Sequence, residues 1–194
     1  MHEFNHLLHH YTALEPVLRR IGPLEPLPIR NEAVADSVAR IVTGQMLSRT
    51  SADKIFARLE QAAQVEGHNR PCLLPTETML ACGLSRRKAD AIQRFGRHYA
   101  QHTATIEGWR QLEIDELRRE VSQHWGLSIW SADILAIFYF GLPDVFPHTD
   151  GAMVRALKLC QERYGLDLSN PEAARPYRTT LARYLWDALD AGVI

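Results

Sequence analysis

A carboxylate stands where a helical pattern begins at Asp150, just after the acidic, proline-bearing run Leu142-Pro143-Asp144-Val145-Phe146-Pro147. An aspartate in that position has two uses. It can cap the free N–H groups that open a helix, or it can stabilise positive charge developing on a substrate. Residue type and position alone leave both open. Upstream, Gly126-Leu127-Ser128 is followed by Ala132, and the same G-L-S-x-x-x-A pattern occurs at Gly83-Leu84-Ser85 and Ala89. Glycine permits a tight turn, and the amides opening the next helix can then bind an anion such as phosphate. A helical corner packed internally would carry the same pattern. Between Gly83 and His102, Arg86, Arg87, Lys88, Arg94 and Arg97 face a single acid, Asp90, which suits a phosphate-bearing partner.

Other reactive residues offer less. His2, His6 and His10 recur every fourth residue and could ligate a metal on a helix, although solvated imidazoles are the ordinary reading. Cys72, Cys82 and Cys160 form an odd, widely spaced set without a C-x-x-C pair. They read as reduced, buried thiols rather than zinc or iron–sulfur ligands. No G-x-S-x-G, H-E-x-x-H or phosphate-loop pattern occurs, so no cofactor is expected.

The elements that must position these groups read as nearly all helix. Val34, Val38, Ile41, Val42 and Met46 recur at helical spacing, as do Ile92, Phe95 and Tyr99, and Leu181, Leu185, Ala188 and Leu189. No convincing alternating strand appears. Glycine and proline breaks divide the chain into roughly eight to ten helices joined by short loops. A length of 194 residues with 46% hydrophobic and 23% charged residues fits one compact domain, or two small lobes, with a core that needs no disulfides. The net charge of −1 argues against a nucleic-acid partner, but phosphate contact depends on one face rather than on the sum. The apolar stretch from Ala132 to Phe146 is broken by Asp133, Gly141, Pro143 and Asp144, too short to span a bilayer. The N-terminus lacks a signal-peptide pattern. A cytoplasmic, nucleoid-associated protein is expected.

Taken together, His124 to Leu157 resembles the helix-hairpin-helix DNA glycosylase superfamily, whose hairpin G-h-G-x-W-T-A is followed by D-V-F-P-x-x-D. Gly126, Trp130 and Ala132 match the hairpin, and Asp144, Val145, Phe146, Pro147 and Asp150 match the loop. Ile41 to Ser48 resembles the helix end that presents the family's DNA wedge. Pro176-Tyr177-Arg178 through Leu185-Trp186 resembles its P-W-R…W segment. Within the superfamily the chain looks most like 3-methyladenine DNA glycosylase II.

The resemblance implies an all-α fold of two helical lobes, one about 34–128 and the other 1–33 plus 129–194. A helix-hairpin-helix motif and a base-binding cleft between the lobes would complete it. It implies a catalytic Asp150, a base pocket with Trp130 and Trp186, a wedge of Gln45 and Met46, a DNA-binding hairpin of Gly126, Leu127 and Ser128, and backbone contacts from Arg86, Arg87 and Lys88. The partner would be double-stranded DNA holding a damaged base, and the protein a monomer. The reaction would be hydrolysis of the N-glycosidic bond of alkylated purines such as 3-methyladenine and 7-methylguanine. The related lyases carry a lysine at the Trp130 position, so no strand cleavage is expected here.

Three positions depart from the family pattern. Ser128 replaces the second hairpin glycine. If that position needs positive φ, serine costs about 1 kcal/mol and weakens a phosphate or monovalent cation held at the hairpin, the one metal this reading allows. Met46 replaces a frequent glutamine and equally fits the core stripe of its helix. Gly151 and Ile134 stand where the alkylbase enzyme carries aromatic residues, which implies a roomier pocket. A glycosylase for mismatched pyrimidines or oxidised purines, and a non-catalytic hairpin module for DNA, are the alternatives.

Overall fold

The segments with helical apolar spacing are helices in the computed structural model, which describes residues 2–28 and 30–194. In chain order these are α1 (His2–His10), α2 (Glu15–Ile21), α3 (Val34–Gly44), α4 (Arg49–Val65), α5 (Thr76–Ala81), α6 (Arg86–Gln101), α7 (Thr103–Glu107), α8 (Ile114–Ser122), α9 (Ile129–Phe138), α10 (Gly151–Tyr164) and α11 (Arg178–Asp190). Short 3-10 turns add to them at Thr12–Leu14, Pro71–Leu73, Gly108–Gln111 and Glu172–Ala174. No strand occurs among the described residues, and no helix there is long and apolar enough to cross a membrane.

The helices form two compact units. One comprises Met1–Ile29 with Gly141–Ile194, the other Arg30–Phe140. This division differs from the one read in the sequence, which separated 129–140 from the hairpin preceding it. The reason is packing. Ala132, Leu135, Ala136 and Ile137 of α9 are fully buried, and α9 packs on α8 and α3. Asp133 of α9 meets Arg118 of α8 at 2.8 Å, further joining the two helices.

In the Arg30–Phe140 unit, α3 is the central element, packed against α4, α6 and α9. Its repeat of Val34, Val38, Ile41 and Val42 is buried, and the carboxylate of Glu107 accepts its opening amide, Val34 N, at 2.9 Å. In the other unit, Leu7, Leu14 and Leu18 from the N-terminal helices and turn bury against Phe146, Met153, Leu181, Tyr184 and Leu185. Each such side chain removed from water stabilises the fold by about 1.5–3 kcal/mol. The chain thereby returns 141–194 to its own N-terminal segment.

Candidate active site and nucleic-acid interface

The loop before Asp150 is held by the start of α11. Arg178 donates from Nε and Nη2 to the two carboxylate oxygens of Asp144, at 2.8 and 3.0 Å. The Thr179 hydroxyl donates to Leu142 O at 2.7 Å and accepts from Val145 N at 3.0 Å. Phe146 is buried beneath this arrangement, and Asp150 N donates back to Pro147 O at 3.0 Å. Asp150 therefore arrives at the N-cap of α10 with extended backbone, φ −72° and ψ 129°.

Its Oδ1 accepts two hydrogen bonds, from Met153 N at 2.8 Å and from the indole Nε1 of Trp186 at 2.9 Å. The first is an ordinary helix cap. The second is not needed for a cap, and it ties the carboxylate to a half-buried tryptophan on α11. Two donors on one oxygen restrict rotation of the carboxylate. Two other aspartates near the motif have different partners: Asp144 is paired with Arg178, and Asp133 is fully buried beside Arg118.

In the Arg30–Phe140 unit the hairpin joins α8 to α9. Gly126 has φ +84°, and a Cβ there would stand 2.7 Å from the Cβ of Ala91 on α6. Glycine is thus required both by conformation and by space. Ser128 has φ −151°, which is extended backbone, so the strain expected for serine at this hairpin position does not arise. Ser128 serves as the N-cap of α9, its N–H donating to Ser131 Oγ at 3.3 Å. Leu127 is half-buried, and Trp130 lies half-buried in the first turn of α9. Trp125, 45% exposed, sits beside the guanidinium groups of Arg87 and Arg94, 5.8 and 5.0 Å from its ring centroid.

The end of α3 departs from the sequence reading. The helix stops at Gly44, so Met46 does not continue the buried stripe. Instead Gln45 has φ −50° and ψ 127°, Met46 has φ +58°, and Leu47 N donates to Gly44 O at 3.1 Å. This is a type II turn with methionine where glycine is usual, and Met46 is fully exposed. The Gln45 side chain does not accompany it outward: Nε2 donates to Gly126 O of the hairpin at 2.9 Å. Arg86 and Arg87 are exposed on α6. Lys88 is not placed like them, because its ammonium donates to Thr43 O at 2.9 Å and Gln45 O at 2.7 Å. Burial also lowers the pKa of Lys88 from its ordinary value.

The N-terminal imidazoles make local contacts: His6 Nε2 lies 3.0 Å from Ala173 O and His2 Nδ1 3.1 Å from the Tyr177 hydroxyl. Among the described residues no group of three or more His, Cys, Asp or Glu is placed to hold a metal ion. All three cysteines are free and buried. A concavity of about 420 Å³ in the Arg30–Phe140 unit is lined in part by His98, His102, Trp109, Glu120 and His124. Burial, and secondarily His98, lowers the pKa of His124.

No protein-family model matches the chain. Two proteins of Schizosaccharomyces pombe are similar to it in sequence. Alkylbase DNA glycosidase-like protein mag2 is 25% identical over 186 residues, 88% of this chain and 84% of that protein. DNA-3-methyladenine glycosylase 1 is 29% identical over 168 residues, 78% of this chain and 70% of that protein. The solved structure of the S. pombe 3-methyladenine DNA glycosylase Mag1 in complex with abasic DNA superposes with a TM-score of 0.85, at 24% identity and over 98% of this chain and 97% of that one. The chain is thus similar in sequence to DNA glycosylases and shares the fold of a 3-methyladenine DNA glycosylase. Another structure with this fold is the DNA-3-methyladenine glycosidase of Bacillus halodurans, with a TM-score of 0.74 at 21% identity, over 98% of this chain and 90% of that one.

Three contacts within this fold are not legible in the sequence. Arg178 was legible as part of the P-Y-R segment, but its pairing with Asp144 was not. The resemblance places Trp186 in a base pocket, and nothing in the sequence shows that its indole N–H reaches Asp150. Lys88 carried no signal separating it from its two arginine neighbours, since only the fold brings the α3 carbonyls within its reach.

Proposed function

We propose that the chain is a monofunctional DNA glycosylase that hydrolyses the N-glycosidic bond of alkylated purines, 3-methyladenine and 7-methylguanine, in duplex DNA. The observation that carries this reading is the Asp150 carboxylate, fixed through one oxygen by Met153 N and Trp186 Nε1. Its support comes from the similarity to proteins named as 3-methyladenine and alkylbase glycosylases.

The chemistry asks little of the protein. Alkylation at N3 or N7 makes the base cationic and hence a good leaving group. The enzyme extrudes the nucleotide, holds the base, and stabilises the sugar cation formed as the bond to C1′ breaks. Asp150 supplies the negative charge for that cation, directly or by orienting the attacking water. Trp186, beside Asp150, offers an aromatic face to a cationic base, worth about 0.5–2 kcal/mol. Met46 fills the space the extruded base leaves. The hairpin Gly126–Ser128, with Arg86 and Arg87, holds the phosphate backbone. With tryptophan at residue 130 there is no amine for Schiff-base attack there, so the product is an abasic site.

The test is single-turnover incubation with duplexes that each hold one modified base, read as free base released. Release of 3-methyladenine and 7-methylguanine without strand cleavage is expected. Failure to release either base from methylated DNA would overturn the reading. Release only of oxidised purines or mismatched pyrimidines would favour the related enzyme class. The open space at Gly151, where an added Cβ meets no described atom within 4 Å, is the observation that favours this second reading.

A further inference from the structure

We propose that Lys88 is a positioning residue that holds Met46 at the tip of the α3 turn, and that its ammonium does not serve as a phosphate contact. The inference rests on the glycosylase reading above for the role of Met46, but its geometry stands apart from that reading.

A methionine at φ +58° is an uncommon state for a residue with a Cβ, costing about 1–2 kcal/mol relative to the right-handed regions. Such strain persists only where surrounding contacts over-determine it. Met46 makes none of those contacts itself, since its side chain stands fully in solvent. The restraint comes from its neighbours. Thr43 and Gln45 flank the helix end, and their carbonyls lack the helical partners that residues deeper in α3 have. The Lys88 ammonium bonds both, at 2.9 and 2.7 Å. On the other side of the turn, the Gln45 amide donates to Gly126 O at 2.9 Å. The turn is therefore clamped between α6 and the hairpin, with Met46 projecting from it.

Geometry also argues against a phosphate role. An ammonium has three protons, and two of those on Lys88 are directed to backbone carbonyls. To reach a phosphate fully, Lys88 would have to release carbonyls at a helix C-terminus, where a cation is favourably placed. Arg86 and Arg87, exposed on the same turn of α6, face no such competition. Conformation and charge both assign Lys88 to the protein rather than to the DNA.

The experiment compares wild type with Lys88→Met, which retains a long apolar stem, and with Lys88→Arg. Without DNA, the Met46 methyl group is followed by NMR in protein labelled at methionine methyls. In Lys88→Met its resonance is expected to shift and change in linewidth, with smaller changes in Lys88→Arg, while the melting transition remains cooperative. An unchanged Met46 resonance in Lys88→Met would overturn the proposal whatever the activity of the protein. With DNA, the affinity for an undamaged duplex is measured against salt. A positioning residue leaves the slope of log K against log salt unaltered, whereas loss of a phosphate contact lowers it by about one. That lowered slope would equally overturn the proposal. On methylated duplex, Lys88→Met is expected to slow excision about tenfold, with less effect when the damaged base is already unpaired. If wild type excises nothing, the glycosylase reading fails, while the NMR and salt measurements still decide the role of Lys88.

Discussion

Trp186 Nε1 and Asp150 Oδ1 lie 2.9 Å apart across 36 residues of sequence, and this one hydrogen bond turns an ordinary helix cap into an oriented carboxylate. The cap needs only Met153 N. The indole adds a second donor to the same oxygen, so the carboxylate is presented in one orientation.

Replacing Asp150 by Asn separates cap from catalyst. Asparagine keeps an oxygen for Met153 N and Trp186 Nε1, so the melting temperature is expected to change little. It lacks the charge that stabilises a sugar cation, a contribution of several kcal/mol in a site shielded from water. Single-turnover release of 7-methylguanine should therefore fall by orders of magnitude. A variant retaining more than about a tenth of the wild-type rate contradicts this, since tenfold is only about 1.4 kcal/mol.

Trp186→Phe keeps an aromatic face and removes the N–H. If orientation of Asp150 matters, the single-turnover rate drops by roughly tenfold or more, while affinity for a duplex with a bound abasic site stays near wild type. A rate equal to wild type would assign Trp186 to packing alone.

Arg86→Glu with Arg87→Glu is expected to weaken binding about equally on damaged and undamaged duplexes, because phosphates carry no lesion information. The loss should shrink as salt rises. Fluorescence anisotropy measures both, and unchanged affinity would remove this turn of α6 from the DNA face.

Gly126→Ala tests the hairpin itself. The new Cβ would stand 2.7 Å from that of Ala91, on a residue with φ +84°. The combined clash and backbone strain should cost about 1–3 kcal/mol in urea unfolding. Duplex binding should weaken beyond what the lost stability explains, because the hairpin and the Gln45 anchor move together.

Asp133 gives a pH dependence. Burial, opposed in part by Arg118, pushes its pKa up to about 6, and its Oδ2 is buried with no hydrogen-bond partner among the described residues. The folded state thus takes up a proton near pH 6, and the unfolded chain only near its ordinary value of about 4. This group therefore adds stability as pH falls from 7 toward 4, on the order of 1 kcal/mol between pH 7 and 5. Urea midpoints at the two pH values should show that increment in wild type relative to Asp133→Asn. Equal pH responses would contradict it.

What the sequence determined by itself was the part of the fold written in local interactions. The repeat of Val34, Val38, Ile41 and Val42 specifies a buried helical face, because side chains three and four residues apart share one side of a helix. Gly126 marks a turn because its φ of +84° excludes most other residues, and Asp150 marks a helix start because its side chain reaches an amide three residues on. The motif spacing was likewise enough to place the carboxylate after its loop. Contacts between distant segments were decided only by the tertiary structure. Gln45 and Gly126 are 81 residues apart, Lys88 and Gln45 43 apart, and no periodicity encodes which carbonyl an amide or ammonium will find. The same applies to α9, which its apolar composition made a core helix but which joined the Arg30–Phe140 unit through packing on α3 and α8. Local physics chooses the elements and their ends, whereas the partners of a long polar side chain depend on how those elements are brought together.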